Sequence, residues 1–256
     1  MKIVTFNINN INRRLENLLA WLAKTGPDVV CLQELRAEQQ AFPAGRLRAL
    51  GYRAVWEGER SWNGVAILAR DRDPVLTRAS LPGNPRDRQA RYIEAAVNGV
   101  LITSIYLPNG NPYPGPKFNY KLAWFERLIT HAGDLMAAGV PVVLAGDYNV
   151  VPTVHDIYPT RSLDNNALIQ PESRRAFARL LAQGWTDALR SLYPDGPLWT
   201  FWDYKRERWA DKGMRLDHLL LSPKMSKRLV DGGIDRWMRG EENASDHAPA
   251  WIVLDL

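Results

Sequence analysis

The segment Val140-Pro141-Val142-Val143-Leu144-Ala145-Gly146-Asp147-Tyr148-Asn149 carries more structural information than any other in this chain. Its apolar run Val140–Ala145 has the length and β-branched content of a buried strand. The run ends in Gly-Asp-x-Asn, which places two polar side chains together on one loop. Just before it, Tyr120–Ala138 reads as a long amphipathic helix, with Leu122, Phe125, Leu128 and Ile129 on one face. Before that helix, Leu101–Leu107 is another apolar run. The same strand pattern recurs at Lys2–Phe6, Asp28–Gln33, Gly64–Ala69 and Ile93–Val97, and again near Leu216–Leu221 and Ala250–Leu254. Arg13–Lys24 has leucines at helical spacing (Leu15, Leu18, Leu19, Leu22) and stops before Gly26-Pro27. Glu172–Gln183 is a further helix. Val97-Asn98-Gly99-Val100 joins two strands as a hairpin, whereas other strands are separated by helices. The pattern predicts an α/β protein with mixed sheets and helices packed outside them. No repeat, low-complexity tract or linker divides the chain, so residues 1–256 are expected to form a single domain. Pro108–Pro116 and Pro152–Pro171 are long enough to be functional loops.

Composition narrows the class. With 256 residues, 46% hydrophobic and 24% charged, the chain is an ordinary globular protein and not collagen-like, disordered or a coiled coil. Its one cysteine, Cys31, cannot form an internal disulfide, which argues against a secreted, disulfide-built fold. The start Met1-Lys2-Ile3-Val4-Thr5-Phe6-Asn7 becomes polar too soon for a signal peptide. No apolar run approaches the roughly 20 residues that span a bilayer. The expectation is a cytosolic, monomeric protein with no membrane partner. A formal charge of +5 is compatible with a polyanionic partner such as nucleic acid without requiring one.

The chemistry gathers at the ends of the apolar runs: Asn7, Glu34, Tyr106 with Asn109, Asp147 with Asn149, Asp217 with His218, and Asp246 with His247. Taken singly, each has a plain structural role, an Asp after a strand as a turn or cap and Tyr106 as a core ring with a wet hydroxyl. Taken together, they are hard oxygen donors with one or two histidines, a set that suits Mg²⁺ or Mn²⁺ rather than zinc. The histidines at 131, 155, 218 and 247 show no zinc-ligand spacing. Carboxylate-held Mg²⁺ with an extra carboxylate and a His fits attack of water on a phosphodiester.

In this order the residues closely resemble the exonuclease III-type family of abasic-site endonucleases, within the endonuclease/exonuclease/phosphatase superfamily. The matching segments are Lys2–Asn9, Pro27–Glu34, Gly51-Tyr52, Asn63–Ile67, Tyr106–Gly110, Gly146–Val150 with Pro152-Thr153, Trp199–Tyr204, Gly213–His218 and Ser245–Pro249. The resemblance implies a four-layer α/β sandwich of the DNase I type, two mixed sheets face to face with helices outside. It implies that Glu34 is the main metal ligand, with Asn7, Asn9 and Asp246 close by. It implies that Asp147 orients or deprotonates the attacking water, helped by Asn149, and that Tyr106 contacts the scissile phosphate. His247 would bind phosphoryl oxygens and be oriented by Asp217. Phe201, Trp202 and Met214 match the apolar pocket that in the family receives a flipped, baseless sugar, and such a pocket rejects a sugar that carries its base.

Asn109, Arg91 and Lys121 are expected to bind the DNA, together with Arg86, Arg88 and Lys117 as a phosphate track, and Trp62 and Tyr113 as rings that stack or wedge. Trp199, Trp202 and Trp209 are equally readable as packing aromatics. The order Phe201-Trp202 is reversed from that of the best-known members, and Asp87–Arg91 is richer in basic residues. The implied function is a Mg²⁺-dependent DNA repair hydrolase that cuts 5′ to abasic sites in double-stranded DNA, with 3′→5′ exonuclease, 3′-phosphodiesterase and 3′-phosphatase activity on damaged ends. The rival is a superfamily phosphatase or diesterase acting on RNA ends, nucleotides or phosphoinositides.

Overall fold

The structure, a computed structural model, describes residues 1–159, 165–203 and 211–256. In the first half of the chain lie β1 (Lys2–Asn7), α1 (Leu15–Thr25), β2 (Val29–Gln33), α2 (Ala44–Ala49), β3 (Tyr52–Glu57), β4 (Val65–Arg70), β5 (Val75–Arg78), β6 (Tyr92–Val97), β7 (Val100–Tyr106) and α3 (Pro116–Ala138). In the second lie β8 (Val142–Asp147), α4 (Pro171–Leu181), β9 (Thr186–Asp187), α5 (Ala188–Leu192), β10 (Phe201–Trp202), β11 (Gly213–Met214), β12 (Asp217–Leu221), α6 (Pro223–Ser226), β13 (Leu229–Ile234) and β14 (Ala250–Leu254). Two six-stranded sheets form, in the orders β13-β14-β1-β2-β4-β3 and β5-β6-β7-β8-β12-β9. Both are mixed. β1 runs parallel to β2 and β7 parallel to β8, and the remaining neighbours are antiparallel.

The apolar runs lack polar interruptions because both faces of the central strands are covered. Alternate side chains of one strand enter different cores. Ile3, Cys31, Ile67, Ile102, Val143 and Leu219 meet between the sheets. Val4, Phe6, Val30, Leu32 and Leu68 face Leu18, Trp21 and Leu22 of α1. On the opposite outer face, Leu144, Tyr148 and Leu220 pack against Trp124, Phe125 and Leu128 of α3 and Phe177 and Leu180 of α4. Helix, sheet, sheet, helix: this is the expected four-layer sandwich. The Asn98-Gly99 turn has φ of +54° and +75°, the doubly left-handed geometry that lets a two-residue loop follow the strand twist. α3 begins earlier than its periodicity indicates, because Pro116 occupies its first turn, where a missing N–H costs nothing. The edge strands β3, β5, β9 and β13 carry no long apolar run and do not stand out in the sequence. Gly146 is required by close approach, since a Cβ there would lie 2.2 Å from the Ile105 carbonyl oxygen on β7.

Candidate active site

Strand register assembles the site. In the parallel pair β7–β8, Tyr106 is opposite Asp147, and in the antiparallel pair β8–β12, Asp147 is opposite Asp217. In the other sheet, Asn7 ends β1 beside Gln33, the residue before Glu34. Strand ends of both sheets therefore open on one rim. The Asn7 amide bridges the sheets, donating to Glu34 Oε1 at 3.1 Å and to Asp147 Oδ2 at 3.0 Å. Tyr106 donates its hydroxyl to Glu34 Oε1 at 2.7 Å. Burial raises the Tyr106 phenol well above its ordinary range, and the Glu34 and Asp147 carboxylates reinforce this. It stays a hydrogen-bond donor.

The loop that follows β8 turns back on Asp147. Asn149, at φ +47°, donates its backbone N–H to Asp147 Oδ1 at 2.8 Å and its amide to Oδ2 at 3.2 Å. The Asn109 amide holds Asn149 Oδ1 at 2.9 Å. On the other side, His247 Nδ1 donates to Asp217 Oδ2 at 2.7 Å, and its Nε2 lies 3.9 Å from Asp147 Oδ2. Burial lifts the Asp147 carboxyl to about 7, opposed by His247 and reinforced by Asp217. For His247, burial favours the neutral ring, but the Asp217 carboxylate outweighs it and holds the imidazolium up to about 10. The arrangement is a proton acceptor poised near neutrality beside a fixed positive charge. The backbone N–H groups of Leu216 and Asp217 both donate to Thr200 Oγ1 at 3.1 Å, which fixes the start of β12.

The oxygen donors foreseen for a cation converge on this rim. Asn9 donates to Asp246 Oδ1 at 2.8 Å, and Asn7 accepts the Asn9 backbone N–H. Arg36 pairs with the second oxygen of Glu34. Among the described residues no three His, Cys, Asp or Glu side chains form a metal cluster. One or two carboxylates aided by amide oxygens fit a cation such as Mg²⁺, which keeps several waters; they do not fit zinc.

The family profile described as "Endonuclease/Exonuclease/phosphatase family" matches residues 4–247, which spans every residue just described. The chain belongs to this family. It is 33% identical to exodeoxyribonuclease III of Haemophilus influenzae over 98% of each chain. Among solved structures it is similar to a 3′-5′ exonuclease (NExo) from Neisseria meningitidis, at TM-score 0.95, 38% identity and full coverage of both chains. It is also similar to an AP endonuclease from Archaeoglobus fulgidus, at TM-score 0.94, 34% identity and full coverage of both.

Among these family members the chain is of the exonuclease III type, and the structure sorts its foreseen site residues. Asn7, Glu34, Tyr106, Asp147 and Asn149 form one hydrogen-bonded cluster. The hydrogen-bonded Asp217–His247 pair lies against it, with His247 Nε2 3.9 Å from Asp147, and Asn9 and Asp246 stand at its edge. Phe201 packs its ring on His247 at 5.0 Å and its backbone bridges to the same residue. Met214, opposite Phe201 across β10–β11, lies 7% exposed beside it. Trp202 corrects the sequence expectation: it is 1% exposed, with Arg239 over its ring at 4.0 Å, so it backs the pocket without facing it. Strand alternation sends neighbours Phe201 and Trp202 to opposite sides. His218, for the same reason, turns away from the site toward Tyr148 and Phe177. Arg91 lies over the Tyr106 ring at 4.8 Å. Arg91, Asn109, Lys117 and Trp62 line one open cleft beside the site. Tyr113 packs on Phe118 at 4.8 Å, and Arg86 and Arg88 are exposed. Tyr204 and Trp209 lie outside the described residues.

Lys121 is the second correction. It is fully buried, and its ammonium donates to the carbonyls of Asn109 and Asn149, so it does not reach DNA. The sequence did carry a signal for this. Lys121 is three residues after Phe118 and four before Phe125, on the buried stripe of α3. Two other residues were not foreseen. Arg36 holds the Glu34 carboxylate. Arg215, 2% exposed, sits between Asp156 and Asp187 at 2.7 and 2.6 Å and anchors the segment between Met214 and Asp217.

Proposed function

We propose that this protein is a Mg²⁺-dependent DNA repair phosphodiesterase that cuts the backbone 5′ to abasic sites, leaving 3′-OH and 5′-deoxyribose phosphate. Removal of 3′-blocking groups, 3′-phosphates and terminal nucleotides from damaged duplex DNA uses the same centre. The observation that carries this reading is Asp147, held between amide donors on one side and the His247–Asp217 pair on the other. Relatives and structural neighbours described as exodeoxyribonuclease III, 3′-5′ exonuclease and AP endonuclease support DNA as the substrate. Residues 1–256 act as one domain and as a monomer, and the expected compartment is the cytosol.

Each side chain has a task set by its geometry. Asp147 accepts the proton of the attacking water, and a carboxylate lifted toward neutral pH suits a general base. Asn149 and Asn7 keep that carboxylate oriented through the hydrogen bonds above. The His247 imidazolium, fixed by Asp217, stabilises charge growing on the phosphoryl oxygens. Tyr106 presents its hydroxyl toward the leaving side of the phosphate. Glu34 and Asp246, with Asn7 and Asn9, would hold the Mg²⁺ (or Mn²⁺), whose chemistry there is to neutralise the phosphate and the departing oxygen. Phe201 and Met214 offer an apolar surface beside His247 that accepts a sugar without its base.

The test is incision of a labelled duplex carrying one tetrahydrofuran abasic analogue, beside its undamaged twin, with Mg²⁺ or with EDTA. The expected result is a single Mg²⁺-dependent cut 5′ to the analogue. Equal shortening of both duplexes would discard the pocket assigned to Phe201 and Met214. Turnover of inositol phosphates or nucleotides instead would favour the superfamily phosphatase reading.

A further inference from the structure

Lys121 presents an energetic puzzle. A buried ammonium is costly, and an apolar side chain of similar volume would fill the same space without that cost. Its hydrogen-bond partners among the described residues are two carbonyls and no carboxylate. Those carbonyls belong to loops leaving different strands, Asn109 after β7 and Asn149 after β8. Both loops are bent around the lysine. Gly110, at φ +88°, lies so close that a Cβ there would be 2.7 Å from Lys121 Cδ and 3.1 Å from the Ala167 methyl. The two residues it grips are linked to each other through the Asn109 amide, and Asn149 makes two hydrogen bonds to Asp147. A hydrophobic residue could support these loops sterically, but it could not draw two converging carbonyls to one point.

We propose that Lys121 is a positioning residue of the hydrolytic centre, tying the carbonyls of Asn109 and Asn149 to α3 so that the Asn149 amide stays against Asp147. The proposal deepens the nuclease reading and rests on it for its kinetic consequence. Its structural consequence is independent of that reading. Lys121 makes no phosphate contact, and its effect passes through the two asparagines.

The experiment compares Lys121→Met with the parent in the full chain by three measurements. The first is the side-chain amide signals of Asn109 and Asn149 in ¹⁵N-labelled protein without DNA, which are expected to shift and broaden in the variant. The second is single-turnover cleavage of the abasic duplex, expected to fall about 10²-fold, the scale of a misplacement of about 1 Å. In an Asn149→Ala background, the same substitution is expected to cost less than about threefold, because coupled residues are non-additive. The third is the salt dependence of duplex binding, whose log–log slope is expected to stay unchanged. A lost phosphate contact would reduce it by about 0.9. Unmoved amide signals, a slope reduced by that amount, or a further loss of about 10²-fold in the Asn149→Ala background would each overturn the proposal. Lys121→Gln, which loses the charge and carries its amide donors on a shorter side chain, takes the same measurements if the methionine variant does not fold. A parent without activity on the duplex removes the nuclease reading, and the amide signals still decide the role of Lys121.

Discussion

Replacing Arg215 with methionine isolates a buried charge cluster that supports the site without belonging to it. The guanidinium, 2% exposed, donates from Nε to Asp156 Oδ1 at 2.7 Å and from Nη1 to Asp187 Oδ2 at 2.6 Å. Removing one member of a buried pair costs about 3–5 kcal/mol, because the partner is left charged and unpaired. Both carboxylates keep another partner, Asp156 the Arg190 guanidinium at 2.7 Å and Asp187 the Arg190 backbone N–H at 3.2 Å, so the lower end, about 3 kcal/mol, is expected at pH 7.5. For a chain of this length that corresponds to a fall of roughly 6–12 °C in Tm.

The pH dependence gives the sharper test. Burial alone would raise Asp156, but the Arg215 charge overrides it and holds the carboxyl at about 2; Asp187 is held lower still in the same way. Both lie below the ordinary value of 3.8. The parent therefore has the full stabilisation from these groups above that value and loses it as pH falls toward 2. In the variant, Asp156 keeps Arg190, but burial acts on Asp187 without the guanidinium, its carboxyl titrates higher than in the parent, and the penalty is relieved as it takes up a proton. The gap between the proteins must be widest near neutrality and narrow in acid. Urea unfolding at pH 7.5 and pH 4.5 measures it. A gap below about 1 kcal/mol at pH 7.5, or one that does not shrink at pH 4.5, refutes the account.

Asp147→Asn keeps the shape of the site but removes the base, so cleavage should fall on the order of 10³-fold with duplex affinity kept within a few-fold, as read by single-turnover rates and binding titrations. Asp217→Asn should cost about 10²-fold by loosening the charge and orientation of His247, and parent-like rates would show that the pair is structural. Glu34→Ala should weaken Mg²⁺ binding in a calorimetric titration without DNA, whereas His131→Gln, in a separate buried pair with Glu94 at 3.1 Å, should leave it unchanged. Gly146→Ala drives a methyl to 2.2 Å from the Ile105 carbonyl oxygen, an overlap that the β7–β8 pair can relieve only by separating. A stability loss above about 4 kcal/mol, or no soluble protein, is expected, and a near-parent Tm would show that β8 moves more freely than its packing implies.

By itself the sequence determined which segments become central strands and helices, and which polar residues stand at their ends. These are local properties: an uninterrupted β-branched run such as Val142–Ala145 has no stable place except between two covering layers, and the residue that ends it must sit at an edge. The inventory Asn7, Glu34, Tyr106, Asp147, Asp217 and His247 was legible for that reason. Tertiary structure alone decided which of the neighbours Phe201 and Trp202 faces the site, because alternation shows that neighbours diverge but not which face meets the rim. It also decided how Lys121 and Arg215 are used. A cation at an inward position reads the same in sequence whether its charge escapes to solvent or is enclosed. Loops and strands distant in the chain enclosed these two, supplying Lys121 with the carbonyls of Asn109 and Asn149 and Arg215 with the carboxylates of Asp156 and Asp187.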